Sequence, residues 1–424
     1  MSHRPSPFDP LRIGTLEIPG RIFKTATSET RADPDGFVTD PLILFYEQMA
    51  RGGTPMMITG NLYAGALGKS TRNMTGIDAD EKIPGLQKLT DRVHALGSLI
   101  FCQISHCGRQ VVSNVMGFEP VSASAVREPT MGTMPREISL PEIAVVIEEF
   151  RAAAARAAEA GFDGIQLHGG HGYLISQFLT PHTNRRGDEY GGSFENRTRL
   201  LVEILDAVRQ ATGPAFPILL KLNGADALPG RKGLATEELV RIGRLAQERS
   251  VDAIEVSVGH YESGFRMCAG SFSGFYREFL KFGSGRDMSR PRRATLGLLH
   301  PLLDRLSGWM WPPHEGFNLD YARRFKAALD IPVISVGGFQ TKKPIQAALD
   351  SGFVDAVSCG RQFIADPFFY RHLLGNLPGP TCNFCNRCLA RTGYESIDCF
   401  NPPIRSAKDE MLTSERVPGR AIGE

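Results

Sequence analysis

Residues 161–173 of this chain read Gly-Phe-Asp-Gly-Ile-Gln-Leu-His-Gly-Gly-His-Gly-Tyr. Gly161 closes a long helical stretch in the manner of a C-cap, and the apolar run that follows over 163–169 predicts a buried strand. Three polar side chains, His168, His171 and Tyr173, stand where that strand ends. A helix, a buried strand and a polar strand end in succession are typical of a parallel α/β fold.

The same unit recurs along the chain. Short apolar, β-branched runs, with amphipathic helical stretches between them, occupy 21–27, 55–60, 99–105, 163–169, 217–223, 253–259, 332–338 and 356–361. Near-continuous hydrophobicity predicts parallel strands that are buried on both faces. Eight such strands favour a closed (β/α)8 TIM barrel over a doubly wound open sheet, because no Gly-x-Gly-x-x-Gly turn follows any of them.

Three segments exceed a minimal barrel. Residues 106–138 after the third strand and 261–318 after the sixth are long enough to predict an active-site loop and a lid or interface. The polar stretch 403–424 is predicted to be disordered. We therefore divide the chain into an α/β barrel domain over 1–375 and a short cysteine-rich tail over 376–424.

Composition narrows the classes of function. The 424 residues are 42% hydrophobic and 22% charged, with a formal net charge of +2, which is ordinary for a soluble protein. This balance gives no electrostatic reason to bind nucleic acid or a membrane, and no apolar run approaches the roughly 20 residues that span a bilayer. The N-terminus has no apolar signal segment, so we expect a cytoplasmic enzyme for a small molecule, with homo-oligomerisation open.

The ends of the predicted strands carry polar groups and glycines, as barrel active sites do. Glycines allow a phosphate to approach backbone N–H groups, and Arg361 can pair with that phosphate. Gln103 offers an amide to the edge of a heterocycle, and Lys221 offers a positive charge. Together these residues predict a site for a flat, anionic cofactor.

The side chains after the fourth strand suggest the chemistry. Two histidines three residues apart are often structural, but imidazole N–H groups at His168 and His171 can hold a carbonyl oxygen that gains negative charge. Tyr173 can deliver a proton beside them. At the end of the sixth strand, His260 and Tyr261 either form part of the substrate wall or, in the case of His260, brace the long loop.

Several motifs resemble the Old Yellow Enzyme family of flavin-dependent ene-reductases. They are Phe-Asp-Pro-Leu-Arg-Ile-Gly at 8–14, Gln-Ile-Ser-His-Cys-Gly-Arg at 103–109, the segment 168–173, and the run from Asn184 to Arg197. The resemblance implies FMN contacts at Ala26, Thr27, Ser28, Gly60, Gln103, His168, Lys221, Gly337, Gly338, Gly360 and Arg361. Ala26-Thr27-Ser28 and Lys221 depart from the family pattern, which often has Pro-Met/Leu-Thr/Cys and an arginine there. Lysine keeps the charge but loses the planar fork.

The resemblance also implies an activity. NADPH or NADH would reduce FMN, and the reduced flavin would then transfer hydride to the activated C=C bond of an α,β-unsaturated carbonyl compound. His168 and His171 would hold the carbonyl oxygen, and Tyr173 would protonate the α-carbon. A hydrolase or lyase that uses the histidines around a catalytic metal is a weaker alternative, because no acidic group stands beside them as a further ligand.

The tail contains a cysteine motif. Cys382, Cys385, Cys388 and Cys399 have the spacing C-x2-C-x2-C-x10-C, which suits a [4Fe–4S] cluster or, less well, Zn²⁺. The tail resembles the cluster-binding segment of the 2,4-dienoyl-CoA reductase and trimethylamine dehydrogenase branch. A second function therefore stays open, that of an iron–sulfur flavoprotein acting on dienoyl thioesters or amines with an external electron partner. A tail that binds no metal also stays open.

Overall fold

The structure is a computed structural model that describes residues 4–111, 116–228, 230 and 233–414. Its centre is a closed barrel of eight parallel strands, which confirms the predicted (β/α)8 class. The strands are β1 (Ile22–Lys24), β2 (Met56–Tyr63), β3 (Leu99–Ser105), β4 (Gly164–His168), β5 (Ile218–Asn223), β6 (Ala253–Ser257), β7 (Val333–Val336) and β8 (Ala356–Cys359). They pair in chain order, and β8 closes the barrel on β1 with Val357 opposite Ile22.

Helices surround the barrel. They are α1 (Asp40–Arg51), α2 (Ile83–His94), α3 (Leu140–Glu159), α4 (Leu174–Leu179), α5 (Phe194–Thr212), α6 (Thr236–Glu248), α7 (Phe275–Phe282), α8 (Arg290–Met310), α9 (Leu319–Lys326), α10 (Lys342–Asp350), α11 (Arg361–Ala365), α12 (Phe369–Gly375), α13 (Arg387–Ala390) and α14 (Pro402–Ser414). The apolar faces of the helices that pack on the barrel form one continuous core with the outer faces of the strands, whereas α7 and α13 contribute to a separate, smaller cluster. Within the described ranges, no helix is long and apolar enough to cross a membrane.

The lower end of the barrel is plugged by a hairpin of two short strands, Leu11–Ile13 and Leu16–Ile18. Ile13 and Ile18 are fully buried there and pack with Phe23, Met56 and Phe101 from the beginnings of the first three barrel strands. The opposite end, where the strands finish, is therefore the open one and holds the site.

Most of the observed strands are shorter than the predicted runs, and the difference lies mainly at their carboxyl ends. The run 21–27 contains a strand only over Ile22–Lys24, and the run 332–338 only over Val333–Val336. The residues that leave the ladder, such as Ala26 and Gly338, line a cavity instead. Apolar composition extends past the last ladder pair, so sequence alone overestimates the length of such strands.

The two predicted loops have some regular structure. Residues 106–138 include a pair of two-residue strands, Val121–Ser122 and Arg136–Glu137, while 112–115 lie outside the described residues. Residues 261–318 contain α7 and α8. The prediction that 403–424 is disordered is wrong over 403–414, which lies in α14. There, the paired prolines at 402 and 403 begin a helix of thirteen residues, and the eleven residues that follow them have sufficient helix propensity to continue it. Residues 415–424 lie outside the described residues.

Candidate active site at the open end of the barrel

A cavity of about 1200 Å³, including its opening to solvent, lies over the ends of the strands. Nine of the eleven residues predicted to contact the cofactor line it: Ala26, Thr27, Ser28, Gln103, His168, Lys221, Gly338, Gly360 and Arg361. Gly60 and Gly337 stand behind this wall. The N–H of Gly60 donates to Glu29 Oε1 at 2.5 Å, and the carbonyl of Gly337 accepts from the N–H of Gly316 at 2.6 Å.

The three predicted catalytic side chains meet in one wall of the cavity. The His168 ring lies 5.1 Å from the His171 ring and 4.5 Å from the Tyr173 ring, measured between centroids. His171 has a positive φ of 56°, and Gly172 follows with φ of 78°. This sharp turn after β4 brings residues 171 and 173 back over the strand end that carries His168. The N–H of His171 donates to Asn223 Oδ1 at 3.0 Å, which fixes the turn.

Burial keeps both imidazoles neutral. It lowers the pKa of His168 well below the usual value, and it lowers that of His171 to about 3, with further lowering from the Lys221 charge. The N–H of Gly170 donates to His168 Nδ1 at 3.2 Å, so the neutral ring carries its proton on Nε2. His171 Nε2 lies 2.7 Å from Ser257 Oγ. The site therefore presents neutral N–H donors at physiological pH.

Burial also keeps Tyr173 in its neutral form, with the phenol proton in place. Burial raises its pKa well above the usual value, and the neighbouring Tyr261 raises it further. The two phenol oxygens lie 3.3 Å apart. A phenol that stays protonated at neutral pH can act as a general acid but not as a resident phenolate base.

The charge of Lys221 is compensated within the barrel by Glu255, which was not predicted from the sequence. Lys221 Nζ lies 3.0 Å from Glu255 Oε2, and the two residues are cross-strand neighbours on β5 and β6. The fully buried Glu255 carboxylate also accepts from Thr25, Gln166 and Ser358. Burial alone would raise the pKa of Glu255, but Lys221 and these donors outweigh it and hold the pKa below its usual range.

The structure also separates the roles left open for His260 and Tyr261. Tyr261 lines the cavity, whereas His260 is fully buried with its Nε2 2.9 Å from Asp226 Oδ1. His260 also forms a β-bridge with His171. His260 is thus a brace behind the turn that carries His171 and Tyr173, and its partner Asp226 was not predicted from the sequence.

The tail supplies a second wall of the cavity, formed by Phe384, Asn386, Cys388, Leu389, Thr392 and Ile397. It is tied to the barrel through Arg361, whose Nη1 donates to Asn386 Oδ1 at 2.5 Å and to the Ala269 carbonyl at 2.8 Å. The Arg361 guanidinium also lies 4.9 Å from the centre of the Phe384 ring. The residue predicted to pair with a phosphate is therefore positioned by the tail as well as by the barrel.

The four cysteines of the tail are free thiols. Burial raises the pKa of Cys388, and Cys382, Cys385 and Cys399 raise it further. Within the part of the chain that the structure describes, no group of three or more His, Cys, Asp or Glu side chains is arranged to hold a metal ion.

The cavity wall contains buried polar atoms without a partner among the described residues, namely Thr27 Oγ1 and Gln340 Oε1. An unsatisfied buried hydroxyl or amide oxygen costs about 1–3 kcal/mol, and a bound polar ligand removes that cost. With Gln103, Lys221 and the glycine-containing ends of β7 and β8, the wall fits a flat, polar heterocycle with a phosphate.

Several known proteins are similar to this chain in sequence and in fold. An NADH oxidase of Thermoanaerobacter brockii is 35% identical over 87% of the chain and 50% of its own length. A 4,4'-dithiodibutanoate disulfide reductase of Rhodococcus erythropolis is 32% identical over 93% of the chain and 94% of its own length. The Old Yellow Enzyme homologue of Zymomonas mobilis superposes with a TM-score of 0.72 at 25% identity, covering 95% of this chain and 99% of that one. The chain spans only half the length of the first relative but nearly all of the second.

The family model described as NADH:flavin oxidoreductase / NADH oxidase matches residues 6–266. This range carries the turn with His168, His171 and Tyr173 and ends just past β6. The resemblance expected from the motifs is confirmed, and the family is one of flavin oxidoreductases rather than metal-dependent hydrolases. The chain belongs to the NADH:flavin oxidoreductase family of Old Yellow Enzyme-like flavin enzymes.

Proposed function

We propose that this flavin oxidoreductase takes hydride from NADPH or NADH and reduces the activated C=C bond of an α,β-unsaturated carbonyl compound. The observation that carries the proposal is the single wall that holds His168, His171 and Tyr173, with both imidazoles neutral and the phenol protonated. Two N–H donors beside a general acid match a substrate whose oxygen gains charge while its α-carbon gains a proton.

FMN would be held by the residues that line the cavity on the barrel side. Gln103 and Lys221 would face the polar edge of the ring, while Gly338, Gly360 and Arg361 would hold the phosphate. When bound, FMN supplies the hydride chemistry, and the protein supplies orientation and electrostatics. Because Glu255 compensates Lys221, the polar edge of the ring would meet a nearly neutral ion pair rather than an isolated cation.

Each side chain of this wall then has a separate role toward the substrate. The N–H groups of His168 and His171 hold the carbonyl oxygen, and losing one such donor typically lowers the rate about 10²–10³-fold. Tyr173 passes its proton to the α-carbon, a contribution of roughly 10²–10⁴-fold. Tyr261, 3.3 Å from the Tyr173 oxygen, keeps the phenol oriented toward the cavity.

A small organic disulfide is a second candidate substrate. The Rhodococcus erythropolis relative, which this chain matches over nearly its whole length, is a reductase of such a disulfide. The imidazole donors that would stabilise an enolate would equally stabilise a leaving thiolate. The two candidates differ in their need for Tyr173, because a thiolate leaves without protonation at carbon.

The test follows the two half-reactions separately. Protein purified without oxygen should carry a flavin absorption band that NADPH or NADH bleaches, and cyclohexenone should restore it in a stopped-flow experiment. Restoration by 4,4'-dithiodibutanoate but not by cyclohexenone would select the disulfide, and restoration by a dienoyl thioester alone would select the dienoyl-CoA branch. A protein that stays colourless after added FMN would contradict the proposal altogether.

We also propose that Cys382, Cys385, Cys388 and Cys399 bind a [4Fe–4S] cluster, with zinc as the other metal candidate. The spacing of the cysteines supports this. Because the four thiols are not grouped around a metal position in the described structure, binding would draw their sulfurs together. Iron, acid-labile sulfide and zinc should be quantified in anaerobically purified protein. Iron and sulfide in equal amounts select the cluster, zinc alone selects a structural site, and no bound metal overturns the proposal.

A further inference from the structure

Helix α8 exposes an apolar face to solvent. Leu298, Leu302 and Trp309 retain 81%, 64% and 78% of their accessible surface. These positions follow one another at intervals of four and seven residues, so they lie on one side of the helix, with Pro301 inside the helix next to Leu302. Leu299, Leu306 and Met310 flank that line and are also exposed. We call these six residues the α8 stripe.

The opposite side of α8 is anchored by polar contacts. Ser307 is buried, with its Oγ 3.2 Å from the hydroxyl oxygen of Tyr276. Asp304 accepts hydrogen bonds from the N–H groups of Gly274, at 3.0 Å, and Tyr276, at 3.2 Å. A surface helix normally turns its apolar side inward. Here the inward side combines these polar contacts with the half-buried Leu296 and Leu303. Six further large apolar side chains still point outward, which is characteristic of a helix with a partner.

We propose that the α8 stripe binds the α8 stripe of a second copy of this chain, with the two helices antiparallel. The spacing of four and then seven residues is the seam of a helix pair, so the same surface can serve both partners of a two-fold dimer. A standard interface needs roughly 800 Å² from each partner. The six large side chains of the stripe supply the apolar centre of such an area, and the flanking polar residues supply its rim.

Charge sets the orientation of the pair. Arg290, Arg292 and Arg293 stand at the N-terminal end of α8, where the helix dipole is positive, and the first turn contains no acidic residue. Among the described residues, none forms an ion pair with these arginines. A parallel pair would bring the arginines of both copies together. An antiparallel pair instead places them beside the negative C-terminal end of the partner helix and the face of the partner's Trp309.

The oligomeric state tests the contact. Analytical ultracentrifugation of the full chain at tens of micromolar should show a dimer, and Leu302→Glu should raise the dimer dissociation constant roughly a hundredfold. Leu377→Glu is the matched control, because Leu377 is exposed to 56% but lies outside α8. A monomeric wild type, or a dimer that Leu302→Glu leaves intact, overturns the proposal. Binding of monomeric wild type to phosphatidylserine vesicles would assign the stripe to a lipid surface instead.

Cysteine cross-linking tests the orientation. In an antiparallel pair centred on Leu302, residue 302 of each copy faces residue 302 of the other, whereas Leu298 faces Leu306. Mild oxidation should therefore join Leu302→Cys to itself but leave Leu298→Cys unlinked, as read by mass spectrometry of the disulfide-linked peptides. Self-linkage of both variants would indicate a parallel pair, and linkage of neither would overturn the contact.

Discussion

Two walls enclose the same cavity, and they are built differently. The barrel wall is held by hydrogen bonds among buried groups, with Glu255 alone joining side chains from four strand segments. The tail wall has no ladder of its own and depends on separate anchors, such as the Asn386–Arg361 contact and the N–H of Ile397 on the Glu29 carbonyl. We infer that chemistry belongs to the first wall, and that the second adjusts how the cofactor is held.

The largest effect should come from Tyr173 in the barrel wall. Tyr173→Phe should lower the rate of enone reduction by about 10²–10⁴-fold, because it removes the general acid. Flavin reduction by NADPH should persist, since no proton is delivered to a carbon atom of the substrate in that step. Stopped-flow measurement of both half-reactions checks this.

The control for this variant is Tyr261→Phe, which removes the second phenol of the pair and should slow enone reduction only several-fold. Equal losses in the two variants would mean that the pair, and not Tyr173, is the acid. Undiminished enone turnover in Tyr173→Phe would remove Tyr173 from the mechanism.

Loss of a buried charge in the barrel wall should lower the stability of the chain more than loss of an exposed charge does. Glu255→Gln leaves the Lys221 ammonium without its buried counter-ion, so the free energy of unfolding should fall by roughly 3–5 kcal/mol. Urea unfolding measures this. Glu237→Gln breaks the exposed pair with Arg324 and should cost less than about 1 kcal/mol. Similar costs at both positions would contradict the central role of Glu255.

The sequence predicts the residues that line the barrel wall, but it does not predict the hydrogen bonds and the ion pair among them. His168, Gln103 and Lys221 could be predicted because each lies near the carboxyl end of an apolar run, and strand ends converge in a barrel. Glu255 was missed because its partners come from strands far apart in the chain, although a lone acid in Ala-Ile-Glu-Val-Ser is a usable signal. The position of Asn386 in the cavity could not be predicted, because it depends on how an irregular segment packs.

Acid should lower the free energy of unfolding, because several histidines, two of them in the barrel wall, are buried in their neutral form. His168 and His171 bind protons in the unfolded state near the ordinary pKa of 6.5 but resist protonation when folded, as does His106, whose pKa burial lowers to about 4. Because the unfolded chain binds more protons below pH 6.5, stability present above that pH is lost as the pH falls. The loss by pH 5 should be on the order of 2 kcal/mol per histidine.

Urea midpoints at pH 7 and pH 5 measure this loss. His171→Gln should show a shallower pH dependence than the wild type, because it carries one fewer group of this kind. Enone reduction itself should show no titration near pH 6.5 from these imidazoles, and such a titration would contradict their neutral assignment.

The smallest effect should come from the tail wall. Asn386 has a φ of 59°, so Asn386→Gly preserves the backbone while removing the side chain that binds Arg361. Loss of this charge-assisted contact should raise the FMN dissociation constant about tenfold, measured by flavin fluorescence. Asn376→Gly is the matched control, because Asn376 has a φ of 51° and contacts the half-buried Lys342, which lies outside the cavity wall. If both variants bind FMN as the wild type does, the barrel alone positions Arg361, and the tail wall contributes nothing to holding the cofactor.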